Sequence, residues 1–248
     1  MWAMRRTSII HTRHQSLELW ESDLAAEFRV AGAVHASFHR RRFLTGLAWD
    51  MIAAAALLGK NAPRSVLMLG LAGGTSFRIL RHLLPQCELT AIDIDPEIVD
   101  LAREHMDLDT LGIEVVIGDA YPWLAKNRRT FDVVIDDIYL AGKTDVFRPR
   151  EWDQSLMNNL QRAIAPGGVL AVNLVTGDGH RTMQSLTRRA LRETFPVVRS
   201  LTSVRAMNEV LVAGEYVATR RRLAAYDDEF TDWRDLDHWR NLAVRKIS

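Results

Sequence analysis

From Ser65 onward the chain alternates short apolar runs with amphipathic stretches, and that alternation leaves few folds open. The runs are Ser65 to Leu69, Leu89 to Ile92, Ile113 to Ile117, Phe131 to Ile135 and Val169 to Leu174, all rich in Val, Ile and Leu. Strands buried on both faces of a parallel sheet have this look. Helical patterns lie between them. One follows Thr75, with Phe77, Ile79, Leu80 and Leu83 apolar. Another starts at Asp95, a good N-cap, with Pro96 at the first helical position and Glu97 complementing the helix dipole. A third runs from Trp152 to Ile164 and stops at the turn signal Ala165-Pro166-Gly167-Gly168; a fourth spans His180 to Phe195. The alternation predicts an α/β domain with a doubly wound sheet. Two further β-like runs, Val197 to Val204 and Glu209 to Ala213, predict an antiparallel closing hairpin. The last thirty residues, with Trp233 and Trp239, are expected to form a peripheral helical tail.

The opening segment has another pattern. Leu17 to Glu21 and Glu27 to Val30 alternate apolar and polar residues around the turn material Ser22-Asp23, which predicts a small β-hairpin. A helix from Phe43 to Leu58 then leads to the sheet. The expected division is residues 1–62, hairpin and lead-in helix, and 63–248, the main domain. The 32 Lys+Arg against 31 Asp+Glu give a net charge of +1, so no general field favours nucleic acid or an anionic membrane. The single cysteine, Cys87, excludes an internal disulfide and an all-cysteine zinc site. No apolar run reaches the roughly 18 residues that span a bilayer. No apolar signal core follows Arg5 and Arg6, and a cytoplasmic location is expected.

The first run ends in Gly70-Leu71-Ala72-Gly73-Gly74-Thr75 and is followed by a helix. Glycines there let the backbone approach a ligand, and a helix N-terminus offers free N–H groups. The dinucleotide fingerprint G-x-G-x-x-G would fall on Gly70, Ala72 and Thr75, a poor match, and no phosphate-cradling P-loop occurs. Asp93 ends the second run, where a carboxylate can accept both hydroxyls of a ribose. Asp119 follows the third run in Gly118-Asp119-Ala120 and could accept from an adenine amino group. Ribose and adenine contacts without a pyrophosphate loop suggest S-adenosylmethionine. Gly70, Ala72, Gly73, Asp93, Ile94, Asp119, Ala120 and Asp137 are the expected cofactor contacts.

These pieces, with Asp93-Ile94-Asp95-Pro96-Glu97-Ile98-Val99, Phe131 to Asp137, Pro166-Gly167-Gly168 and Asn208-Glu209-Val210-Leu211, stand in the order found in Rossmann-like S-adenosylmethionine-binding proteins. The chain resembles the spermidine-synthase-like branch of that superfamily over about 150 residues. The resemblance implies a seven-stranded Rossmann-like sheet behind a small N-terminal β appendage. It also implies a family pattern from which this chain departs. Spermidine synthases place an aspartate in the glycine loop for the donor's ammonium, and here that position holds Ala72. The family's Asp-Ser-(Ser/Thr)-Asp-Pro segment becomes Asp137-Ile138-Tyr139-Leu140-Ala141, with leucine at the catalytic acid. Its Tyr-His pair becomes Trp49-Asp50. Burying an unpaired ammonium is costly, so the departures point to a methyltransferase that uses intact S-adenosylmethionine on a small, aromatic or nitrogen-containing acceptor.

Asp137, Tyr139 and Asp50 are the candidate catalytic groups, with Asp137 alternatively ordering the loop or the methionine amine. Trp20, Trp49, Tyr121, Trp123 and Tyr139 are candidate pocket aromatics. Aminopropyl transfer from decarboxylated S-adenosylmethionine, and a non-catalytic binding module, remain open alternatives. The segment Asp136-Asp137-Ile138-Tyr139 lacks the prolines of enzymes that methylate exocyclic amines, which argues against a nucleic-acid acceptor. His11 with His14, and His35 with His39, lack an evident third ligand, so no metal is expected. A homodimer is expected from related folds.

Overall fold

The computed structural model describes residues 4–30, 32–142, 146–150 and 152–247. Four antiparallel strands come first: β1 (Arg5–His11), β2 (Ser16–Ser22), β3 (Ala25–Val30) and β4 (Ala33–His39), paired in that order. The expected hairpin is therefore the central half of a four-stranded sheet. The sequence does carry a signal for β4, since Val34, Ala36 and Phe38 alternate with polar residues. β1, with Arg5, Arg6 and Thr7, is too polar to show one.

The lead-in helix α1 (Ala48–Ala56) is shorter than expected and buried along nearly its whole length. Its alanines let it pack closely against the main sheet and its neighbouring helix. The chain then runs through β5 (Ser65–Leu69), α2 (Thr75–Leu83), β6 (Glu88–Asp93), α3 (Pro96–His105), β7 (Ile113–Ile117), α4 (Ala120–Lys126) and β8 (Phe131–Asp136). Two short strands follow, β9 (Leu140–Ala141) and β10 (Val146–Phe147), and then α5 (Gln154–Ala163), β11 (Ile164–Val175), α6 (Arg181–Thr194), β12 (Val197–Thr202) and β13 (Asn208–Gly214). The chain ends with α7 (Arg220–Leu223), α8 (Trp233–Arg240) and β14 (Ala243–Lys246).

The main sheet has the order β14-β12-β13-β11-β8-β5-β6-β7. Strands from β7 to β11 are parallel, and β13, β12 and β14 are antiparallel additions. Successive residues feed opposite layers, as the pleat requires. Val66 and Met68 join the core under α1, α2 and α3, while Leu67 and Leu69 join the core under α4, α5 and α6. The sheet is Rossmann-like with eight strands rather than seven. The extra strand is β14, which pairs with β12, so the carboxyl-terminal segment is not helical throughout as expected: α7 and α8 are followed by a strand. Nor is it peripheral: Trp239 is fully buried and donates to the Leu223 carbonyl. The helix expected ahead of the turn signal at Ala165–Gly168 does stop there, α5 ending at Ala163, and β11 starts at once. β11 pairs with β8 at Ile164, bulges, and resumes at Val169.

Order along this sheet reverses at one point. From β5 the chain moves outward to β6 and β7, then returns to the other side of β5 for β8 and β11. Open α/β sheets bind ligands at the carboxyl edge of such a switch point.

Candidate functional site

A cavity of about 1170 Å³ opens at that switch point. One wall comes from the carboxyl ends of β5 to β8, another from β11 and β13, and the N-terminal sheet closes it with Phe28, Val30 and His35. That sheet is fixed by specific contacts. Thr75 Oγ1 donates to the Ser37 carbonyl and accepts from the Ser37 N–H, both at 3.0 Å. Thr12 Oγ1 donates to Asp95 Oδ2 at 2.6 Å.

On the side of β5 to β7, Gly70 has φ +88°, and a side chain on it would meet the Asp137 carbonyl at 2.5 Å. Glycine is required there for the left-handed backbone and for the close passage of the two strands. Ala72 also has positive φ, +47°, a conformation that costs a non-glycine residue of order 1 kcal/mol. Asp93 holds this loop in place. Its Oδ2 accepts from the N–H groups of Leu71 and Ala72 at 2.8 and 2.9 Å, and its Oδ1 accepts from Asp95 N–H at 2.9 Å. A carboxylate has about four acceptor positions, so one remains, on Oδ1. Asp93 as it stands can take one ribose hydroxyl, not the pair expected. Asp119 caps α4 through the Tyr121 N–H at 2.9 Å and still faces the cavity. Gly70, Ala72, Asp93, Ile94, Asp119, Ala120 and Asp137 all line the cavity.

Gly73 is not on the lining. A side chain there would strike Met106 Sδ at 2.4 Å and Ala36 Cβ at 2.5 Å, so this glycine serves the docking of β4 on the loop rather than a ligand.

Across the cavity, Asp137 follows β8. Its Oδ1 accepts from Asn173 Nδ2 at 2.7 Å. Asn173 Oδ1 in turn accepts from Asn208 Nδ2 at 3.1 Å, which fixes the amide's orientation towards Asp137. Burial pushes the Asp137 carboxyl up to about 7; Asp136 adds to this, while Asn173 and Arg148 oppose it. Beneath it, Asp136 pairs with Arg148 at 2.6 Å, both side chains at most 1% exposed. Burial works against the charge on Arg148, but Asp136 outweighs that and raises its pKa above the ordinary value.

The other two catalytic candidates have structural duties. The Tyr139 hydroxyl donates to the Asn173 carbonyl at 3.0 Å and accepts from Val175 N–H at 3.1 Å. Burial raises its pKa further, so it stays protonated and engaged with β11. Asp50 is sealed in α1 and absent from the cavity lining. It accepts from Thr45 N–H, Thr45 Oγ1 and Gly46 N–H, and burial pushes its pKa up to about 6 against those bonds. It closes the turn before α1.

Of the candidate aromatics, Trp49, Tyr121 and Tyr139 line the cavity. Trp20 instead bonds Glu18 and packs under Arg29, and Trp123 packs on the core beneath α4. Sequence reading missed Asn173, Asn208 and the Asp136–Arg148 pair. A polar residue inside the apolar run Val169 to Leu174 was a signal for Asn173. Nothing local in the sequence links residues 136 and 148.

The arrangement offers a recess for a nucleoside-like ligand beside one acid poised near neutrality. The chain is similar to known transferases. A probable polyamine aminopropyl transferase of Bifidobacterium longum is 32% identical over 162 residues, 64% of this chain and 35% of the relative. An eEF1A lysine and N-terminal methyltransferase of Danio rerio is 27% identical over 182 residues, 70% of this chain and 26% of that protein. The chain thus spans about a third and a quarter of these two relatives. The crystal structure of spermidine synthase from Thermotoga maritima superposes with a TM-score of 0.68 at 17% identity, covering 87% of this chain and 75% of the other. The spermine/spermidine synthase domain model matches residues 48–211, well over half of the chain, and the chain belongs to that family.

Proposed function

We propose that the protein transfers a methyl group from S-adenosylmethionine to a small-molecule acceptor. The observation that carries this reading is the pair Ala72 and Leu140, both on the cavity lining. A decarboxylated donor brings an ammonium, and aminopropyl transfer needs an acid at the attacking amine. Apolar side chains stand at both places, and an unpaired buried ammonium costs several kcal/mol.

The residues present fit the donor. The Gly70–Ala72 backbone passes close to the cavity, Asp93 Oδ1 keeps one acceptor position for a ribose hydroxyl, and Asp119 stands where an adenine amino group can donate. When bound, S-adenosylmethionine supplies an electrophilic methyl group on a sulfonium. The chain's own work is alignment and proton handling. Holding two reactants in line can lower a barrier by roughly 7–11 kcal/mol. Asp137, with its pKa raised to about 7, can take the proton that leaves an attacking amine or hydroxyl at neutral pH. Asn173 holds that carboxylate in one orientation.

A second reading is aminopropyl transfer, favoured by the identity shared with the Bifidobacterium relative. The zebrafish relative's name places its acceptors among proteins, whereas the enclosing N-terminal sheet and the recessed Asp137 support a small molecule here. Competitive calorimetry of the purified chain with S-adenosylmethionine and its decarboxylated form separates the first two readings. Intact S-adenosylmethionine is expected to bind tighter by about tenfold or more, near 1.4 kcal/mol. Preference for the decarboxylated donor overturns methyl transfer and establishes the second reading.

A further inference from the structure

Four buried side-chain donor atoms meet no acceptor among the described residues, behind the cavity wall that includes Tyr121, Pro149 and Arg150. Among the described residues, Arg148 donates from Nη2 to Asp136. Its Nε and Nη1 are buried without a partner among the described residues, and so are the Tyr121 hydroxyl and Trp152 Nε1. These atoms belong to one cluster. The guanidinium carbon lies 5.6 Å from the Tyr139 ring centre and 5.4 Å from that of Trp152. Among charged groups, Asp136 and Arg148 act most strongly on the Tyr121 hydroxyl, and the Arg150 guanidinium carbon sits 5.6 Å from the Tyr121 ring centre. Every buried polar atom left without a partner costs about 1–3 kcal/mol. A group that only accepts, and accepts several bonds at once, removes that cost at one stroke.

Charge around the cavity points the same way. Asp93, Asp95 and Asp119 stand on the side of β6 and β7. On the side of β8, β11 and β13, Asp137 is the lone carboxylate among the described lining residues, while Arg150 and Arg205 also line the cavity. A polyamine brings several ammonium groups and would find one carboxylate among cations. An acid finds the reverse.

We propose that the acceptor bears a carboxylate, and that the Arg148 guanidinium, the Tyr121 hydroxyl and the Trp152 indole N–H form the subsite that receives it. The proposal rests on the methyl-transfer reading only in taking this half of the cavity as the acceptor side. Arginine with a carboxylate gives short, charge-assisted and often paired bonds. The donors are shut from solvent, so the ligand enters by parting the Pro149–Arg150 backbone from Tyr121, both of which line the cavity.

The test is binding of simple probes to the full chain, with no donor present and no turnover required. Benzoate, its neutral isostere benzamide, and spermidine are titrated by calorimetry. Benzoate is expected to saturate at least about tenfold more tightly than benzamide, the gap that one charge-assisted bond supplies. Tyr121→Phe removes a hydroxyl that bonds nothing else and leaves the fold intact; it is expected to erase most of the preference. Arg148→Lys keeps the ion pair with Asp136 but loses the fork, and is expected to do the same. Absence of saturable benzoate binding means that water alone serves the donors, and overturns the proposal. So do equal affinity for benzamide, a preference for spermidine, or a benzoate affinity that neither variant changes. Because S-adenosylmethionine takes no part, failure here leaves the donor experiment standing, and failure of the donor experiment leaves this result readable.

Discussion

Each half of the cavity is built around an aspartate, and the two are held by opposite means. Asp93 takes three backbone N–H groups from Leu71, Ala72 and Asp95, the residues that flank its own strand and the neighbouring loop. Asp137 takes a single side-chain amide from Asn173, itself steadied by Asn208, over a buried ion pair whose arginine comes from a separate segment. Backbone donors belong to the fold and survive most substitutions. Side-chain donors belong to particular residues and can be exchanged one at a time. On the proposed reading, the donor side is therefore tied to the fold and the proton-accepting side to a few exchangeable residues.

The largest expected effect tests the acceptor half. Arg148→Met leaves the Asp136 carboxylate buried without its cation, a loss of about 3–5 kcal/mol by analogy with broken buried pairs. Denaturant unfolding measures it. The double variant Asp136→Asn with Arg148→Met is expected to recover most of the loss, since a neutral amide tolerates burial better. If the single variant is as stable as the parent, the pair does not support this half.

Asp137→Asn comes next, and here function and stability move in opposite directions. Loss of the proton acceptor is expected to lower kcat by about 10²–10⁴-fold. In the parent, kcat/KM should rise with pH through about 7 as the carboxylate ionises. The folded-state pKa lies above the unfolded value, so the unfolded chain loses its proton first. Stability contributed by this group is unaffected below about pH 4, falls between pH 4 and 7, and is flat above. Asp137→Asn is therefore expected to stabilise the protein by up to about 4 kcal/mol at pH 8 and by almost nothing at pH 4. Urea titrations at the two pH values check this; equal stability changes at both would show that burial does not strain the carboxylate.

Asp93→Ala probes the donor half. It removes one free acceptor and releases the N–H groups of Leu71, Ala72 and Asp95, and a loss of S-adenosylmethionine affinity of about tenfold or more is expected. Unchanged affinity would remove the ribose assignment and leave Asp93 as a brace for the loop alone.

The same contrast governs how much could be read from the sequence. The donor half was legible because its logic is local. Asp93 ends a run of apolar residues, Asp95 and Pro96 announce a helix, and the small residues of the loop lie between two such signals. The fold followed from the same periodicity. What escaped were pairings between distant segments. β14 is four residues long and exists only because β12 offers it an edge. Asp50 and Tyr139 look like titratable groups near a site, but their atoms are engaged by Thr45, Gly46 and the β11 backbone. Gly73 reads as a ligand-loop glycine, yet the atom it makes room for is Met106 Sδ. Residue type shows what a group can do, and only the neighbours decide whether it is free to do it.

The smallest expected effect is the sharpest test of that distinction. Asn208 is remote from Asp137 in bonding terms, with Asn173 between them. Asn208→Ala leaves the Asn173 amide free to turn its oxygen towards the carboxylate. The ionised form of Asp137 then loses its hydrogen-bond donor for part of the time, and a weaker hold on the charged form raises the pKa. The pH at which kcat/KM reaches half its plateau is expected to move upward by a few tenths of a unit, with little change in the plateau itself. Asn208→Asp extends the logic, since a second carboxylate near Asn173 adds like charge and should move the midpoint further upward. A purely structural role for Asn208 would lower the plateau and leave the midpoint in place, so the two outcomes separate positioning from packing at a residue that touches neither reacting atom.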